Sequence, residues 1–116
     1  MRKISIKRIE IQEIDVLQTE LLNYITMKSA TMIPTKNTDL YFQNLLLMEI
    51  AQEMYYSFRG KVERANKSIA TLNCSVKEAV VLLQVCNDRS TIRDGFEKFV
   101  MQKFIGLIHK ELINLI

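Results

Sequence analysis

The stretch from Leu40 to Phe58 constrains this chain more than any other. Thirteen of its nineteen residues are apolar or aromatic, and neither Lys nor Arg occurs between 39 and 58. A helix that apolar needs cover on several sides. Its longest uncharged run, Leu40 to Met48, contains Gln43 and Asn44 and is followed by Glu49 and Glu53, so it is too short to cross a bilayer. Charge order supports one long helix over 39–65. Asp39, Glu49 and Glu53 come first, and Arg59, Lys61, Arg64 and Lys67 come last, as the helix dipole favours. Thr38 can cap its start. Gly60 can kink or end it, at about 1 kcal/mol relative to Ala.

Other segments supply partners for this helix. Ile4 and Ile6 alternate with Lys3, Ser5 and Lys7, a period of two that reads as a strand. Ile11, Ile14, Leu17, Leu21 and Ile25 then recur at spacings of three and four, predicting a helix over 8–28. Pro34 and its Ser, Thr and Asn neighbours interrupt the chain over 29–38. Residues 68–74 read as extended. Ser75 with Glu78 forms a capping box that starts a helix over 76–86. After the turn 87–90, a last helix is expected from near Thr91 to the end. The strands 3–7 and 69–74 have no other partners and are expected to pair.

With 116 residues and 13.5 kDa, the chain suits one helical domain spanning 1–116. The expected fold is mainly α: a compact bundle of about four helices around the hydrophobic helix 39–65, with a short two-stranded ribbon. A net charge of +3 permits an anionic partner without demanding one. Neither a signal peptide nor a membrane span is legible, which points to the cytoplasm. Cys74 and Cys86 are expected to be small buried packing residues in a reducing compartment.

Catalytic patterns are sparse. His109 is the one histidine, and no Ser-His-Asp or Cys-His order can be built around it. Position 106, three before it, is Gly, so the Glu-x-x-His pair of helical di-iron sites is missing. Glu49 and Glu53 share a helix face and can bind a cation or act as acid and base, or simply face water. Gly60, Gly95 and Gly106 are isolated and form no phosphate loop. The expectation is therefore no enzyme, cofactor or metal.

Residues 75–85, Ser-Val-Lys-Glu-Ala-Val-Val-Leu-Leu-Gln-Val, are followed by Arg89-Ser90-Thr91-Ile92-Arg93. This stretch resembles a helix-turn-helix of the excisionase or MerR type. The resemblance covers about twenty residues, with Gln84 in place of the turn glycine and a turn about two residues too long. It implies DNA binding through 75–100, with Arg89, Ser90, Thr91 and Arg93 at the groove or its phosphates. Lys61, Arg64 and Lys67 share a helical face and can also meet phosphates.

The chain closes on Leu-Ile-Asn-Leu-Ile, an apolar end that should dock on something. Its own core, a partner and, through Lys98, Lys103 and Lys110, an anionic membrane surface are all open. The last helix carries more apolar residues than one stripe uses. The favoured reading is a small non-catalytic interaction or scaffold protein. It is expected to form a homodimer through Met101, Ile105, Ile108, Leu112, Leu115 and Ile116. An unidentified protein partner is also open, and the alternative function is the helix-turn-helix-like DNA-binding regulator.

Overall fold

The computed structural model describes residues 3–32, 37–88 and 92–115. The order of elements is β1 (Ile4–Glu10), α1 (Ile11–Thr31), α2 (Asp39–Glu63), β2 (Ile69–Cys74), α3 (Val76–Cys86) and α4 (Gly95–Ile113). The mainly α bundle with a two-stranded ribbon is what the sequence led us to expect. The strands pair antiparallel, Ile4 opposite Cys74 and Glu10 opposite Ile69.

Local chemistry sets the boundaries. Ser75 Oγ accepts the Glu78 N–H at 3.2 Å and Glu78 Oε1 accepts the Ser75 N–H at 2.8 Å, so α3 starts at the expected capping box. Thr38 Oγ1 accepts the Tyr41 N–H and caps α2, as expected. α2 continues unbroken through Gly60. α4 starts later than expected, because Asp94 and Glu97 form a second capping box just before Gly95. α1 also starts later, because Ile9 and Glu10 remain paired with β2.

β1 runs past the expected strand by way of a bulge. Ile6 faces Leu72 and Ile9 faces Ala70, so three steps on β1 match two on β2. Arg8 takes up the extra residue at φ 60°, in the left-handed region. Without the bulge, the alternation of Ile4 and Ile6 would turn Arg8 inward and Ile9 outward. With it, Ile4, Ile6 and Ile9 all face the core, and Lys7 and Arg8 stay in water.

One continuous core joins all six elements. The inner face of the ribbon contributes Ile4, Ile6, Ile9, Leu72 and Cys74. α1 contributes Ile14, Leu17, Leu21 and Tyr24, and packs on α2, α3, α4 and β1. α2 differs from the expectation that it is covered on several sides. Its buried residues are Ile50, Ala51, Met54 and Phe58, so its first eleven residues bury no side chain. α1 and α3 each touch all three other helices, and α1 also packs on β1, so its apolar stripe lies between ribbon and bundle. Among the described residues, no helix is long and apolar enough to cross a membrane.

Candidate functional site

Each sequence-predicted site residue has a definite place among these elements, and Arg93 is the most informative. It lies between α3 and α4, before the helix that the helix-turn-helix resemblance would put it in. Its guanidinium is turned inward. Nε and Nη2 donate to Glu20 Oε2 at 3.1 and 2.9 Å, Nη2 also donates to Val85 O at 3.2 Å, and Nη1 donates to Cys86 O at 3.4 Å. Arg93 thus satisfies the carbonyls at the end of α3 and neutralises a carboxylate on α1. It is not placed to read a groove. The α3–α4 connection spans residues 87–94, longer than the 3–4-residue turn of a helix-turn-helix. Arg89, Ser90 and Thr91 lie outside the described residues.

The sequence reading missed two buried acids on α1. Glu20 is 1% exposed, and its Oε1 is buried with no hydrogen-bond partner among the described residues. Glu13 is nearly as buried, and Lys103 Nζ donates to both its oxygens, at 2.8 and 2.7 Å. Glu13 Oε1 also accepts the Glu10 N–H at 3.0 Å, so one side chain caps α1 and ties it to α4. The signal was present in the spacing. Glu13 and Glu20 are one heptad apart and share a face with Leu17 and Tyr24.

The expected dimer face on α4 is partly used within the chain. Met101 and Ile108 are 2% and 1% exposed and belong to the core. Ile105, Leu112 and Leu115 are half-buried against it, and Ile116 lies outside the described residues. The open apolar residues of α4 are Phe96, Phe99 and Ile113. A larger open set lies at the start of α2, where Leu40, Phe42, Leu45 and Leu46 are all exposed.

Polar candidates are dispersed. Glu49, Glu53 and His109 are exposed. Among the described residues no three His, Cys, Asp or Glu side chains converge as metal ligands. Cys74 and Cys86 are free, buried thiols. Burial pushes both up to about 12; Glu78 adds to the rise at Cys74, while Arg93 opposes it at Cys86. They are protonated and poorly nucleophilic near neutrality. A cleft of about 410 Å³ opens between the ends of α1 and α3, lined by Tyr24, Met27, Lys28, Thr31, Gln84 and Asp88. Burial, then the nearby Asp88, raises the Tyr24 hydroxyl above its ordinary range, which keeps it a neutral donor.

A basic cleft of about 340 Å³ lies between the end of α2 and β2, lined in part by Lys61, Arg64, Asn66 and Lys67. These are the three cations that share a helical face in the sequence. Ile69 and Ala70, paired with β1, form its other wall. Comparison with protein-family models, curated proteins and solved structures finds no match.

Proposed function

We propose that this chain is a non-catalytic interaction protein of the cytoplasm that works as a homodimer. The observation that carries this is the first half of α2. Residues 40–48 are uncharged, yet Leu40, Phe42, Leu45 and Leu46 are exposed, Phe42 and Leu46 by 58% and 59%. Apolar area left in water costs about 25 cal/mol per Å². An uncharged stripe meets its own copy without like-charge repulsion, and two-fold dimers are the commonest oligomers.

The C-terminal helix contributes less to this reading than its sequence implied, because Met101 and Ile108 are already enclosed. Phe96, Phe99 and Ile113 form a smaller, secondary face on α4. Sedimentation at tens of micromolar tests the reading. The wild type is expected to sediment as a dimer, and Leu46→Lys as a folded monomer, since Leu46 has little packing to lose. A monomeric wild type would sink the proposal.

A further inference from the structure

We infer that the outward face of the β1–β2 ribbon, together with the basic cleft beside it, is a binding surface for duplex DNA. The charge of the molecule is strongly segregated. Residues 1–9 and 64–77 contain seven Lys and Arg and no Asp or Glu. The rest of the chain has nine Lys and Arg against thirteen Asp and Glu, a net −4. Residues 10–63 separate the two basic segments, and the ribbon pairs residues 4–9 of the first with 70–74 of the second, a strand flanked by Lys67 and Lys77.

The ribbon is two-sided. Its inner face is closed by the core; Lys3, Ser5, Lys7, Arg8, Thr71 and Asn73 are exposed on its outer side, as are Ile69 and Glu10, its one acid, at the far end of the ribbon. The Ser5 hydroxyl donates to Asn73 Oδ1 across the strands, which orients the Asn73 amide. Seven residues of strand span roughly 23 Å, and the paired strands lie about 4.8 Å apart. A two-stranded ribbon of that width enters the B-DNA major groove, about 12 Å across. The deep, narrow groove of duplex RNA does not admit it. Lysine and arginine in this setting meet phosphates, while Ser, Thr and Asn hydrogen-bond base edges. The cleft continues this surface, since Ile69 and Ala70 pair with Glu10 and Ile9, and it adds Lys61, Arg64 and Lys67 for a phosphate strand. Ile69 is the one exposed large apolar side chain of the two strands, which favours DNA over a lipid surface.

Arg8 supplies a second, independent sign. A left-handed φ of 60° is the ordinary place of glycine in a bulge, and an arginine there is strained. The bulge needs no side chain at that position to stay in register. Arg8 thus places a charge at a backbone position that favours glycine, on the face where a phosphate would meet it.

Fluorescence anisotropy of a labelled DNA duplex, read between about 50 and 200 mM KCl, tests this, because phosphate contacts are lost over that range. The wild type is expected to bind at the lower salt and to release steeply as salt rises. Arg8→Gly should weaken binding about tenfold at the lower salt and reduce the salt slope by about one, as loss of a single phosphate contact does. Its thermal midpoint should not fall, so the loss cannot come from unfolding. Lys7→Ala and Lys67→Ala should behave alike in binding, and Lys110→Ala, on α4, should bind as the wild type does. No binding by the wild type at the lower salt would overturn the inference. So would equal weakening by Lys110→Ala, or binding to phosphatidylserine vesicles without binding to the duplex.

Discussion

Glu20 shows how much of this molecule depends on single charged side chains inside it. A buried carboxylate must be paired, and Arg93 is its partner across an ion pair of 2.9 Å with 1% and 10% side-chain exposure. Removing one partner leaves the other charge uncompensated. Glu20→Met or Arg93→Met alone is therefore expected to cost about 3–5 kcal/mol. The double variant Glu20→Met with Arg93→Met should recover much of that, less the bonds Arg93 makes to Val85 and Cys86, each of about 1 kcal/mol. Urea denaturation of the four proteins of that cycle measures the coupling, and strictly additive losses would show that the pair does not act as a unit. None of this pairing was legible in the sequence. Arg93 is seventy-three residues from Glu20 and was read as a groove contact from a local resemblance. Only the placement of Arg93 against Glu20 of α1 assigns it. By contrast, the two cysteines were legible, since small apolar residues flanked by strand and helix patterns are buried by default.

At the scale of elements, the sequence was legible wherever a cap or a period marks an end. The bounds of β2 and α3 follow from the Ser75–Glu78 box, and the start of α2 follows from Thr38. β1 was cut short because its alternation breaks at Arg8, and a bulge in register cannot be distinguished from a strand end without the partner strand. The burial of α2 was misjudged for a related reason. Apolar density gives a demand for cover, and nothing in one chain says whether a neighbour supplies it. Glycine inside helices makes a test at this scale. A Cβ at Gly106 would meet nothing within 4 Å, so Gly106→Ala should stabilise α4. The expected gain is about 0.8–1.0 kcal/mol, the propensity difference. At Gly60 an added Cβ would come within 2.7 Å of Arg64 Nη2, so the same change must displace a side chain and should gain less. Thermal melts of both variants check the order, and a Gly60→Ala gain larger than that of Gly106→Ala would contradict it.

For the whole molecule, the core is closed by helices on one side and the ribbon on the other, and it holds two buried thiols. Cys74 ends β2 and Cys86 ends α3, and both are packed in that core, away from water. Both thiols are raised from about 9 to about 12 by burial, while unfolding returns them to water. The folded state therefore holds protons that the unfolded chain gives up above about pH 8.5. The stabilisation is complete below that pH and is lost as pH rises toward 12. Over that window each thiol should remove about 1.4 kcal/mol of stability per pH unit. Lysines and tyrosines titrate there too, so the measurement is a difference. Urea midpoints of the wild type and of Cys74→Ala with Cys86→Ala are compared at about pH 7.5 and 10, either side of the unfolded thiol pKa. The double variant should be the less stable at the lower pH, through lost packing, and should lose less on going to the higher. Parallel losses in the two proteins would mean that the thiols ionise as readily in the folded core as in water.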